Sequence, residues 1–222
     1  LETSDSALVR DGISIGIAVG AIGLSFGLLA HAAGVAPLMA CAMSLLVFAG
    51  GSQFLLIAVV STGGDLAAGV LAALLLNARH VPFGLSLVPF LHGSAVRRIL
   101  SSQIVIDEST AFALAQSDPV RARRAFYLVG VTLFVSWNLG TAAGAVGGSF
   151  IGDPTALGLD AAFPAGLLAM LAPQLRNVSA RVAAAAGAAL ALLATPIVPS
   201  GAPIFVASLG AVAGVLVARR RG

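Results

Sequence analysis

The sequence contains no lysine: its twelve basic residues are all arginine, set against nine acids, for a formal net charge of +3. Only 9% of the 222 residues are charged, where a soluble domain carries about a quarter. From Gly12 to Gly64, and again from Val182 to Ala218, there is no Asp, Glu, Lys or Arg. The single cysteine, Cys41, excludes an internal disulfide and any multi-cysteine metal site. With no lysine there is no G-x-x-x-x-G-K-[ST] loop, so hydrolysis of a nucleotide at such a loop is excluded. No secretory leader with a polar mature domain behind it is read. The chain opens on Leu1 rather than Met, so a preceding segment is expected.

What the sequence does hold is apolar residues in solid blocks, 59% of the chain, with a mean hydropathy of +1.03. As a helix, about 20 such residues cross a hydrocarbon core of about 30 Å. Solid blocks rather than alternation exclude a membrane barrel. The expected fold class is all-α, a polytopic helical membrane protein with residues 1–222 forming a single transmembrane domain. Spans are expected at about Gly12–Ala33, Ala36–Val60, Leu66–Leu91, Ala125–Gly147 and Ala161–Leu175, then one running to about Ile197 and one at Pro203–Ala218. Gly16, Gly20, Gly23 and Gly27 put small residues on one face of the first, which suits close helix contact. Ile99–Asp118 has two readings. As an amphipathic helix on the membrane it leaves about seven spans with the N-terminus outside; as a buried span it makes eight with both ends inside. The arginines cluster at span ends, as orientation signals do, rather than as a nucleic-acid surface. On that rule Arg121–Arg124, Arg176–Arg181 and Arg219–Arg221 are cytoplasmic, the C-terminus with them, and Tyr127 is an interface anchor. Phe48-Ala-Gly-Gly through Pro82 has a rough echo in Phe163-Pro-Ala-Gly through Pro196. The echo suggests repeat halves at 11–98 and 121–218 joined by 99–120, as in inverted-repeat transporters.

Two interruptions organise the chain: Phe48-Ala49-Gly50-Gly51-Ser52-Gln53-Phe54, and Asn77-Ala78-Arg79-His80-Val81-Pro82. Irregular backbone and charge at membrane depth are tolerated only inside protein or beside a water-filled cavity, so the two are read as the walls of one polar site. Gly50 and Gly51 allow an unwound turn from which Ser52 and Gln53 start a half-helix, whose free N–H groups favour an anion. Arg79 adds a fork of donors. Asn77, exposed carbonyls in the break, or Asp107 and Glu108 accept an ammonium. Such a set suits a free amino acid, with its carboxylate, ammonium and apolar side chain. For proton coupling the candidates are His80 and the adjacent carboxylates Asp107 and Glu108. Plainer readings stand beside these: Arg79 snorkelling to headgroups, the glycines serving helix contact, and the acids on a solvated face. His31 and His92 read as interfacial, and Trp137-Asn138 faces either the bundle or the substrate path. No catalytic residue, metal or cofactor is expected.

With Asp11-Gly12 opening the first span, then Phe48–Phe54, Asn77-Ala-Arg-His80 and Asp107-Glu108 in that order, the chain resembles the AzlC-type family, the large subunit of bacterial branched-chain amino acid exporters. The likeness covers most of residues 11–118, and the remainder matches in hydropathy. It implies export of valine, leucine or isoleucine across the bacterial inner membrane, and a small hydrophobic AzlD-like membrane subunit as partner. Energy is then expected from an ion gradient, with a proton antiporter as the leading form. Two other classes remain: a structural or channel-like subunit whose polar groups hold a partner, and an intramembrane enzyme using Ser52 or His80. No H-E-x-x-H pair supports the last.

Overall fold

The computed structural model describes residues 5–150, 174–198 and 202–219, with isolated positions between 158 and 172. In chain order the helices are α1 (Asp5–Ala32), α2 (Pro37–Leu46), α3 (Gly50–Ser61), α4 (Leu66–Asn77), α5 (His80–Leu87), α6 (Ala95–Ser102), α7 (Asp107–Leu114), α8 (Pro119–Gly147), α9 (Val178–Ala194), α10 (Pro203–Ser208) and α11 (Gly210–Arg219). Among the described residues three helices are long and apolar enough to cross a membrane: α1, the joined α4–α5, and α8 with its 3-10 extension to Phe150. Helix α8 starts before the expected Ala125 because Asp118 caps it, accepting the Arg121 N–H at 2.8 Å, with Pro119 in the first turn.

Helices α1 and α8 lie side by side and parallel. A Cβ on Gly12 would meet Leu128, one on Gly16 Thr132, one on Gly23 the Trp137 backbone, and one on Gly27 the Thr141 carbonyl. Gly140 and Gly144 return the contact against the backbone of Gly20 and Leu24. Glycines on both helices remove the side chains between two backbones, and dispersion along the seam replaces them. Asp5, in the first turn of α1, pairs with Arg121 and Arg124 in the first turns of α8. The start of α1 therefore lies on the same side as the arginine knot. This corrects the seven-span reading, which put them on opposite sides.

The reason is that the expected span Ala36–Val60 is not a crossing. Helix α2 runs antiparallel to α8, with the Ser44 hydroxyl 3.4 Å from Thr141 Oγ1 and Phe48 edge-on to Phe134 at 5.2 Å. The chain turns at Val47–Ala49, and α3 goes back the way α2 came, laying Phe54 against Phe26 at 5.5 Å. Helix α4 is antiparallel to α3, since Gly69 faces Leu56 and Val59 while Gly51 faces Leu76. The α4–α5 rod continues until Leu87 joins Phe126, near the start of α8. The ten residues of α2 and twelve of α3 make about 15 and 18 Å of helix, each roughly half a hydrocarbon core. The pair is a helical hairpin, and neither arm is among the helices long enough to cross a membrane.

Residues 99–118 are likewise neither a surface helix nor a span. Helix α6 runs parallel to α8, with Ser101 bonded to the Tyr127 hydroxyl at 2.6 Å and Ile104 against Gly130. The chain turns at Gln103–Ile106, and α7 returns to bring Ala113 into the cluster of Leu87 and Phe126. This second hairpin, of two eight-residue helices, enters from the opposite side to the first. The two tips touch, with Gln103 Nε2 donating to the Leu45 carbonyl at 2.7 Å.

Beyond Arg176, α9 starts at Asn177, whose Oδ1 accepts the Ser179 N–H at 3.0 Å. It packs antiparallel to α11, with Gly210 on the Gly187 backbone and Gly214 on the Ser179 carbonyl. The expected span at Ala161–Leu175, and with it a large part of the second repeat half, lies outside the described residues.

Candidate functional site

The two hairpin tips and the α4–α5 junction enclose a cavity of about 110 Å³. Its polar lining is Gly50, Gly51, Arg79, His80, Asp107 and Glu108, and its apolar lining Val19, Ile22, Phe48, Phe54, Ile106 and Trp137.

Local sequence fixes each polar contributor. In α3 the Ser52 and Gln53 N–H groups both donate to the Ala49 carbonyl, at 3.1 and 3.2 Å, and the Ser52 hydroxyl adds a third bond at 2.8 Å. The helix therefore begins at Gly50, not at Ser52-Gln53 as expected. The N–H groups of Gly50 and Gly51, in its first turn, have no carbonyl in their own helix to reach. In α7 the Ile106 N–H donates to Ser109 Oγ at 3.1 Å, and that hydroxyl donates to the Ile104 carbonyl at 2.7 Å. Asp107 and Glu108 then occupy the first turn, where acids complement the helix dipole. Between α4 and α5 the rod only tightens. Pro82 offers no N–H to the Ala78 carbonyl, and the Val81 N–H takes it at 3.1 Å.

Arg79 joins the two hairpins. Its Nη2 is 3.2 Å from Asp107 Oδ2, with both side chains less than a third exposed. A Cβ on Gly51 would stand 3.6 Å from the same nitrogen. One guanidinium thus faces the acid at one tip and the open N-terminus of the helix at the other. Its Nε is buried without a partner among the described residues. His80 Nδ1 lies 3.0 Å from the Asn77 carbonyl. A carbonyl only accepts, so Nδ1 carries the hydrogen and Nε2 of the neutral ring is an acceptor. That Nε2 is buried and unpaired. Glu108 is on α7, outside the candidate spans. Burial pushes its carboxyl above the usual range; a bond from its own backbone opposes this, the Asp107 charge adds to it, and Arg79 opposes it.

Trp137, which the sequence left undecided, forms the apolar wall. It stacks on Phe26 at 5.9 Å, meets Phe54 edge-on at 6.1 Å, and is 4% exposed. Asn138 turns away and donates to the Phe134 carbonyl at 2.8 Å. Three expected site residues are elsewhere. Ser52, Gln53 and Asn77 line a second cavity of about 200 Å³ between α2, α3 and α4. Gln53 follows Gly51 by two residues, as Arg79 follows Asn77, and two residues are about 200° around a helix. Sequence neighbours here face different cavities. Gln103, inside the stretch Ile99–Asp118 that the sequence left as either a surface helix or a span, is the tip contact.

Gly12-Ile-Ser-Ile-Gly16 and Gly23-Leu-Ser-Phe-Gly27 spell a nucleophile elbow, yet both sit inside α1. Ser14 and Ser25 donate back to the Arg10 and Ala21 carbonyls at 2.9 and 3.2 Å. Neither lies on the strand-to-helix turn that exposes such a serine. Among the described residues no group of three His, Cys, Asp or Glu is placed to hold a metal ion.

Residues 14–151 match the family described as AzlC protein, and that stretch contains every residue lining the 110 Å³ cavity. The chain belongs to the AzlC family. It is 30% identical over 151 residues to the inner membrane protein YgaZ of Escherichia coli (strain K12), an alignment covering 63% of this chain and 59% of that relative. It is 24% identical over 202 residues to the branched-chain amino acid transport protein AzlC of Bacillus subtilis (strain 168), covering 90% of this chain and 79% of that one. The chain thus spans about three-fifths of the first relative's length. No solved structure matches it. Within this AzlC-family fold the cavity is assembled by α1, both hairpins, the α4–α5 rod and α8, through residues that all lie inside the matched stretch.

Proposed function

We propose that this AzlC-family chain is a secondary transporter exporting valine, leucine and isoleucine across the bacterial inner membrane, coupled to protons and acting with a small AzlD-like subunit. The observation that carries the reading is the position of Arg79, between Asp107 and the N-terminus of α3. An incoming carboxylate accepts from the guanidinium fork and from the N–H groups of Gly50 and Gly51. Asp107 is the anion it displaces, and the released acid, with Glu108, holds the ammonium or takes up a proton. Exchange of the substrate ammonium for a proton at these carboxylates ties the two fluxes. His80 Nε2 is a second proton acceptor on the same wall, and the apolar wall takes the branched side chain. The name of the Bacillus subtilis relative points to the same substrates.

The cavity of about 110 Å³ is smaller than the ~150 Å³ void that admits benzene, so the tips part for an amino acid to enter. Span and hairpin occur twice in opposite directions, α1 with α2–α3 and α4–α5 with α6–α7. That arrangement supports one gate on each side. The test is counterflow of labelled valine, leucine, methionine and alanine in liposomes, with and without the small subunit. Saturable flux that prefers branched side chains and follows a proton gradient is expected only with both chains. Flux without saturation or preference returns the channel reading, and full activity of this chain alone removes the partner.

A further inference from the structure

We infer that Trp137 selects the ligand's side chain in this cavity: its ring is the wall the side chain packs on, and its buried N–H donates to the ligand. The inference rests on the amino acid reading of the site given above. A tryptophan buried for packing alone finds an acceptor for its indole N–H. Here Nε1 is buried without one among the described residues, in a side chain that lines the cavity.

The ring is also held at a fixed distance from the polar groups. A Cβ on Gly23 would come within 2.6 Å of the Trp137 carbonyl, so the α1–α8 seam fixes the backbone at that position. Phe26 and Phe54 fix the ring itself, the first stacked on it and the second nearly perpendicular to it. A Cβ on Gly50 would lie 2.8 Å from Trp137 Cη2, so the far edge of the indole rests on the first residue of α3. The same residue offers an N–H to a carboxylate. A side chain bound against the ring therefore has its length set by a wall that is in register with the groups holding its charged end.

Trp137 is the only tryptophan of the chain, which gives a direct readout. In the full chain reconstituted in nanodiscs with the small subunit, emission of wild type minus that of Trp137→Phe isolates this indole. Saturating leucine is expected to shift the difference emission, with calorimetry on the same samples giving affinities. Trp137→Phe keeps a ring and loses the donor. It is expected to keep leucine ahead of alanine while weakening both about fivefold, the loss of one neutral hydrogen bond. Trp137→Leu shortens the wall and is expected to move phenylalanine ahead of leucine. Unchanged emission at calorimetric saturation, or an unchanged ranking in Trp137→Leu, overturns the inference and leaves the transport reading standing. If Trp137→Leu does not assemble, the emission and the Trp137→Phe affinities decide. Folded wild-type complex that binds no amino acid overturns both.

Discussion

Adding one methyl group at either of two adjacent glycines separates a site built by close approach from a merely flexible break. At Gly50 a Cβ would stand 2.8 Å from Trp137 Cη2 and 3.2 Å from Cζ3. Carbon atoms pack at about 3.5–4.0 Å, so the ring or the start of α3 must retreat by more than half an ångström. The ring cannot swing freely, because Phe26 stacks on it. Overpacking of this kind costs about 1–3 kcal/mol, which is roughly 5- to 150-fold in affinity if the displacement falls on the ligand site. At Gly51 the nearest atoms are Leu76 Cδ2 at 3.3 Å and Arg79 Nη2 at 3.6 Å. The first is the end of a flexible side chain and the second is in ordinary contact, so Gly51→Ala is expected within about twofold of wild type. Gly51→Leu would reach into the guanidinium and is expected to abolish transport while the protein still inserts. The assay is leucine affinity by calorimetry and counterflow in liposomes, with membrane insertion checked in each variant. Wild-type affinity in Gly50→Ala, or equal losses in the two alanine variants, would refute the geometry, because helix propensity alone treats the neighbours alike.

Further outcomes follow from the same contacts. Arg79→Lys keeps the charge but loses the planar fork, and is expected to weaken apparent affinity about tenfold, one charge-assisted hydrogen bond. Arg79→Ala should abolish transport; normal affinity in that variant, with assembly intact, would return the snorkelling reading. Because burial raises the Glu108 carboxyl, it stays protonated to a higher pH than a free glutamate and ionises as pH rises through that value. Amino acid affinity should therefore climb over that interval, and Glu108→Gln should remove the climb while counterflow persists; a pH profile unchanged by the substitution would clear Glu108 of the role. In a Cys41→Ala background, cysteines placed before Asp5 and after Arg221 should both resist an impermeant thiol reagent in intact cells, and labelling of the first alone would break the parallel pairing of α1 with α8.

The sequence by itself determined the class of molecule and the neighbourhood of the site. Solid apolar blocks leave a helix as the only way to satisfy the backbone in lipid, and glycine, proline and charge inside those blocks marked both Gly50-Gly51 and Arg79-His80. The seam of α1 was also foreshadowed, since Gly16, Gly20, Gly23 and Gly27 share a face at helical spacing. Periodicity read through to the end would have separated Gly51 from Gln53 and Arg79 from Asn77, each pair lying about 200° apart on its helix. The direction of the chain after Ala49 could not be read. Two half-length helices folded back on each other have the same length and hydropathy as one helix that crosses, and only packing against α1 and α8 tells them apart. The same holds for residues 99–118, where Asp107 and Glu108 argued for water in one reading and for a buried span in the other. Tertiary structure decided both, bringing two tips from opposite sides onto one arginine. Local sequence sets where a helix can start, but which distant surface that start faces depends on contacts between residues as far apart as Leu45 and Gln103.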